Sequence, residues 1–235
     1  MSPPAPSLAL PIEWLPTSGR TEQLILLLHG WCSDAMDMAP LAQRLRAEFP
    51  QAAVLAPDAP HADDKGRRRQ WYSIQDLSPG AWPQRVQAVL PELQAWVKAQ
   101  QQRLGVAPAA TALVGFSQGA VLAMSLALND DGIVGRVLAF GGLLPSMPTA
   151  APRHTTLHLF HGDNDKIFSA AAARQCFEQL GELKGDATID VAQGVGHELH
   201  PALIDCAIHR LRSHIPLRTW QAAMGDARAA RAAGD

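Results

Sequence analysis

The run Ala112-Leu113-Val114-Gly115-Phe116-Ser117-Gln118-Gly119-Ala120-Val121-Leu122-Ala123 decides the fold of this chain, because an apolar stretch, a Gly-x-Ser-x-Gly pentapeptide and an alanine-rich helical pattern follow one another without a break. It reads as a nucleophile elbow, a serine held on a sharp strand-to-helix turn. Such a turn crowds the positions two residues on either side of the serine, and only a hydrogen side chain relieves the crowding. The pentapeptide alone is weak, since trypsin-like proteases carry a similar string. The strand before it and the helix after it give it meaning.

Working outward, apolar β-favouring runs alternate with longer helical patterns, which implies an α/β fold with a mostly parallel central sheet and helices on both faces. The expected strands are 24–28, 53–56, 111–115, 136–140, 156–160 and 188–191, and 8–15 would add an antiparallel edge bounded by prolines. The expected helices are 38–49, 82–104, 118–128, 170–183 and 201–215. Residues 57–79 fit no element and read as a long functional or mobile loop. The first seven residues, rich in proline, read as an untethered lead-in. Residues 1–216 are expected to form one domain, and 217–235 a tail that is either a loose helix or disordered.

Composition narrows the function classes. The 235 residues are 47% hydrophobic, enough for one sizeable core. A formal net charge of -2 gives no field that would gather nucleic acid or an anionic membrane, and Arg67-Arg68-Arg69 reads as a solvated loop. Three cysteines, Cys32, Cys176 and Cys206, lack any Cys-x-x-Cys spacing, which argues against a disulfide framework and for a reducing compartment. No run approaches the twenty or so apolar residues a spanning helix needs. A cytoplasmic protein without stable membrane insertion is expected.

A serine hydroxyl needs a base to take its proton, and the base needs an orienting acid. In elbow-type hydrolases the chain order is serine, acid, histidine, and each partner sits in a loop at the carboxyl end of a strand. The strand 156–160 ends in His161-Gly162-Asp163-Asn164-Asp165-Lys166, which offers two acids. Asp165 is favoured because the third position beyond the glycine can fold back across the rim, with Asp163 as a turn cap. Of the nine histidines, His197 follows Gly194-Val195-Gly196 just past a strand and precedes a helix, so it is the expected base, with His200 behind it. His197-Glu198-Leu199-His200 has three-residue spacing where a zinc helix needs four, so neither metal nor cofactor is expected. An oxyanion would be met by the backbone N–H of Gln118 and of Trp31, which follows the strand-ending His29-Gly30. His29 is expected to brace that loop.

The residues Leu28-His29-Gly30, Pro57-Asp58-Ala59-Pro60, Gln70-Trp71-Tyr72, Gly115 to Gly119, His161 to Asp165 and Gly196-His197 stand in the order of one known family. The chain resembles the carboxylesterase, phospholipase and acyl-protein thioesterase family of α/β-hydrolases, in a bacterial esterase-like branch. The resemblance implies Ser117, Asp165 and His197 as a triad with Trp31 and Gln118 at the oxyanion hole. The chain also departs from that family. His-Gly-Trp-Cys replaces His-Gly-Leu-Gly, Lys166-Ile167-Phe168-Ser169 replaces a Pro-x-Val-Pro-like continuation, and Asp63 to Arg69 replace a segment containing glycine and methionine. The expected activity is hydrolysis of small carboxylic esters of short to medium acyl chain through an acyl-enzyme, with Trp31, Trp71 and Tyr72 as substrate contacts. A thioesterase on small or protein-bound acyl groups is the nearest alternative, and a non-catalytic binding module on the same fold is the alternative of another class. An exposed apolar patch near the site would support a homodimer.

Overall fold

The computed structural model describes residues 8–17 and 19–232, with side chains up to residue 224. The N-terminal lead-in, residues 1–7, lies outside the described residues. Among the described residues the chain runs β1 (Ile12–Trp14), β2 (Gln23–Leu28), α1 (Ala39–Glu48), β3 (Ala52–Ala56), β4 (His61–Ala62), β5 (Arg69–Gln70), α2 (Ala81–Leu104), β6 (Thr111–Phe116), α3 (Gln118–Asn129), β7 (Arg136–Phe140), β8 (Thr156–Gly162), α4 (Ala170–Glu182), β9 (Ala187–Ala192), α5 (Pro201–Ser213) and α6 (Leu217–Ala232). The strands form a sheet in the order β1-β3-β2-β6-β7-β8-β9, parallel throughout except for β1, which pairs antiparallel with β3.

Strand periodicity explains the layering. In β2, Leu24, Leu26 and Leu28 face one core while Ile25 and Leu27 face the other, so both sheet surfaces are apolar and each demands a helical cover. The first core is closed by α2 through Val86, Leu90, Leu93, Trp96 and Val97, by α3, and by α4 through Cys176 and Leu180. The second is closed by α1 through Leu41 and Leu45 and by α5 through Leu203, Ile204, Ala207 and Ile208. α3 leaves the middle strand of the sheet and is buried from Gln118 to Ala127, so the residue at its start is fixed from every side. No helix of the described residues is long and apolar enough to cross a membrane.

The tail, expected as either a loose helix or disordered, is helical over Leu217–Ala232 and is tied back by the Leu217 N–H donating to Asp186 Oδ2. One region differs from expectation. The segment 57–79 holds a small antiparallel hairpin, β4 with β5, rather than an unstructured loop. Asp63 Oδ1 accepts from the N–H groups of Arg67 and Arg68, and Ser33 and Arg69 exchange backbone hydrogen bonds, which dock the hairpin on the loop after β2. Strands of two residues carry no readable period, and their turn is held by side chain to backbone bonds.

Candidate active site

The elbow comes from β6 and α3. Ser117 sits at φ 53 and ψ -115, a conformation that costs a non-glycine residue about 1–3 kcal/mol. Its N–H donates to the Phe140 carbonyl and its own carbonyl accepts from the Val121 N–H, so the turn is held at both ends. A Cβ on Gly115 would lie 2.2 Å from the Gly119 carbonyl, and one on Gly119 would lie 2.2 Å from the Leu28 carbonyl oxygen. Both glycines are therefore required by close approach of backbone.

Opposite the serine, His197 Nε2 lies 2.9 Å from Ser117 Oγ, and His197 Nδ1 lies 2.8 Å from Asp165 Oδ2. The carboxylate accepts from Nδ1–H, which leaves Nε2 bare to accept the serine hydroxyl proton. Asp165 Oδ1 accepts from the N–H groups of Ile167 at 2.8 Å and Phe168 at 2.9 Å. Burial pushes the Asp165 carboxyl up, but the His197 hydrogen bond and these two N–H donors outweigh it and hold the group below its ordinary value. Asp163 instead accepts from the Gly194 N–H at 2.6 Å and anchors the loop that carries His197. His200 caps α5 by accepting from the Ala202 N–H, away from the serine. His197 is sandwiched between Phe116, at 4.9 Å between ring centroids, and Phe168, at 5.9 Å. Gly141, at φ 54, makes room for it, since a Cβ there would lie 3.2 Å from the imidazole.

On the other side of Ser117, the registered pair Leu28 and Gly115 brings the loop after β2 against the elbow. His29 braces it: its Nε2 accepts from the Ala59 N–H and its Nδ1–H donates to the Gly30 carbonyl. Burial lowers the His29 pKa and keeps the ring neutral for that task. The Trp31 indole N–H donates to Gln70 Oε1, Gln70 Nε2 donates to Asp64 Oδ1, and Asp64 Oδ2 accepts from the Ile74 N–H. This chain of bonds ties two walls of the site together. The Gln118 side chain accepts from the Trp71 N–H and donates to the Tyr72 carbonyl.

These elements enclose a cavity of about 380 Å³ that opens onto Ser117, Gln118 and His197 and is lined by Trp31, Tyr72, Ile74, Leu77, Trp82, Phe116, Ile167 and Phe168. Trp71 does not line it, which corrects its expected place among the substrate contacts. It is 1% exposed, its indole N–H donates to the His29 carbonyl, and its ring packs on His29 beneath the loop after β2. Its neighbour Tyr72 does reach the cavity, and burial pushes its phenol up to about 12, so the hydroxyl stays neutral. Trp82 and Phe168 were missed as cavity residues, one because it opens a long helix, the other because it sits in a loop read only as a departure.

A sequence profile of the phospholipase/carboxylesterase family matches residues 15–215. The chain belongs to that family. It is similar to Esterase YpfH of Escherichia coli, strain K12, at 32% identity over 203 residues, covering 86% of this chain and 88% of that one. It is also similar to acyl-protein thioesterase 1 of Gibberella zeae, at 25% identity over 206 residues covering 80% and 86%. Among solved structures, esterase PE8 superposes with a TM-score of 0.80 at 29% identity over 88% of this chain and 99% of that one. The chain is thus an α/β-hydrolase and a serine ester hydrolase by family, as its sequence implied.

Proposed function

We propose that Ser117 is the nucleophile, His197 the general base and acid, and Asp165 the group that orients His197, in hydrolysis of small carboxylic esters. The observation that carries this reading is the unbroken chain from Asp165 Oδ2 to His197 at 2.8 Å and on to Ser117 Oγ at 2.9 Å, opening on an apolar cavity. Ser117 Oγ bonds to the ester carbonyl carbon while its proton passes to His197 Nε2. The oxyanion is met by the N–H groups of Trp31 and Gln118, each such donor being worth about 10²–10³ in rate. Collapse breaks the bond to the alcohol oxygen, which takes the proton from Nε2. Water then repeats the sequence on the acyl-enzyme and releases the acid.

Ser117→Ala is expected to lose about 10³-fold or more of p-nitrophenyl butanoate hydrolysis and to lose labelling by a fluorophosphonate. Unchanged hydrolysis would sink the assignment, and wild-type protein that no fluorophosphonate labels would favour a non-catalytic binder. The acyl-protein thioesterase relative supports a second reading, action on thioesters. Matched oxygen and sulfur esters of one acyl group separate the two by relative kcat/KM. We place the protein in the cytoplasm, supported by three free cysteines. The exposed Ile74 and Ile167 at the cavity mouth support a homodimer, which light scattering would test.

A further inference from the structure

One wall of the cavity is supplied by side chains that the proposed chemistry does not require. Phe168 serves the acid loop through its backbone alone: its N–H donates to Asp165 Oδ1 and its carbonyl accepts from His161 Nε2–H at 2.9 Å. Any residue but proline could make those two bonds. The phenyl ring is additional, and it lies in the segment where this chain leaves the family pattern. It stands 5.9 Å from the His197 ring and stacks on Trp82 at 5.9 Å between centroids with 14° between planes. The Trp82 indole N–H in turn donates to Tyr72 Oη at 3.2 Å. His197, Phe168, Trp82 and Tyr72 therefore form one continuous aromatic wall, joining the start of α2 to the loop after β8 and pinned at its far end by a hydrogen bond.

We propose that the Phe168–Trp82 stack is the wall that narrows the acyl site and so limits acyl length, so that the substrates are esters of unbranched acyl groups of about eight carbons or fewer, with the acyl chain in this cavity. This rests on Ser117 as the nucleophile. A methylene fills about the 30 Å³ of a liquid water, so the cavity seats about twelve heavy atoms, of which about four belong to the ester group and the first atom of the alcohol. The stack is a firm wall. Its rings are held by each other, by His197 and by Tyr72, and α2 cannot shift Trp82 outward without breaking the Tyr72 bond. Methylenes that fit the apolar space beside this wall each improve binding by up to about fourfold, and those that outgrow it must displace aromatic rings or remain in water.

The test is kcat/KM of the full chain on p-nitrophenyl butanoate, octanoate and dodecanoate, each below its aggregation concentration. For the wild-type protein the rate constant is expected to rise from butanoate to octanoate and to fall by about tenfold or more at dodecanoate. Phe168→Ala and Trp82→Ala are each expected to raise the dodecanoate-to-butanoate ratio by about tenfold or more, and Phe168→Leu by less. The ratio within one variant cancels any general loss of activity. Phe168→Leu and Trp82→Leu, which keep an apolar side chain, carry the same test at about threefold if an alanine variant fails to fold. A wild-type preference for dodecanoate, alanine variants whose ratio stays within about threefold of wild type, or, where alanine fails to fold, leucine variants whose ratio equals that of wild type, would overturn the proposal. Failure of the nucleophile assignment shows separately, as Ser117→Ala that still hydrolyses butanoate.

Discussion

Replacing Asp165 by asparagine asks the site a question whose answer the hydrogen bonds fix in advance. Asp165 Oδ1 accepts from two backbone N–H groups, those of Ile167 and Phe168, at 2.8 and 2.9 Å. An asparagine must keep its oxygen there. Turning the amide over would set its NH2 against two donors and lose both bonds, at about 1–3 kcal/mol each. The amide nitrogen therefore takes the place of Oδ2 and faces His197 Nδ1. A donor there forces Nδ1 to accept, so the imidazole proton moves to Nε2 and points at Ser117 Oγ. In that tautomer the ring cannot take the serine proton. The side chain of Asp165 is 0% exposed, so water cannot enter to repair the mismatch.

The expected loss in kcat is about 10⁴-fold, or about 5.5 kcal/mol, with KM little changed because ground-state contacts are untouched. Asp163→Asn keeps an oxygen for the Gly194 N–H and should stay within about threefold of wild type. Steady-state kinetics on p-nitrophenyl butanoate measure both variants, and nitrogen NMR of the imidazole reports the tautomer directly. Asp165→Asn that retains more than about a tenth of kcat, or Asp163→Asn that loses as much, would refute the reasoning.

Gly119→Ala would drive a Cβ to 2.2 Å from the Leu28 carbonyl oxygen, so α3 must move off β2; a loss of about 3 kcal/mol or more in urea unfolding is expected. Gly181→Ala, in α4 with nothing within 4 Å, should instead stabilise by about 0.5–1 kcal/mol. His158 gives a pH effect of defined sign. Burial, then the charges of Arg136 and His214, lower its pKa from 6.5 to about 3, against an opposing pull from Asp186 and with Arg210 adding to the lowering. The unfolded chain binds the proton first, so stability is lost as pH falls from 6.5 toward 3, at up to about 1.4 kcal/mol per pH unit. His158→Asn should flatten that part of the stability curve, and an unchanged slope would assign it to other groups.

Most of the sheet was legible because its strands are buried on both faces and therefore read as short apolar runs, each ending where a glycine or a polar residue begins the turn. The strand-end rule then brought Ser117, Asp165 and His197 to one rim without any knowledge of their distances. The cavity was less legible. Trp71 and Tyr72 are adjacent in sequence, yet one packs under His29 while the other lines the cavity, and no local pattern distinguishes them. Trp82 and Phe168 meet only because α2 and the loop after β8 converge above the sheet, a contact made by tertiary packing between elements that each look ordinary. The hairpin in 57–79 escaped for a different reason: its stability lies in Asp63 and in its docking on Ser33, and not in a period.

Three of the strands around the site share one backbone device. Beyond β2, β6 and β7 the chain turns through a positive φ, at Cys32 (53°), Ser117 (53°) and Gly141 (54°). Each turn does a different job, shaping the loop after β2, presenting Ser117 and leaving space for His197. Glycine accepts such a turn without strain, and it occupies only the third position. Ser117 must carry a side chain, so its strain is unavoidable and is held by the bonds to Phe140 and Val121. Cys32 has no such obligation, and its neighbour Ser33 pairs with Arg69 of the docked hairpin. The loop that carries Trp31 is thus held by the hairpin through Gln70 and through the Ser33–Arg69 pair.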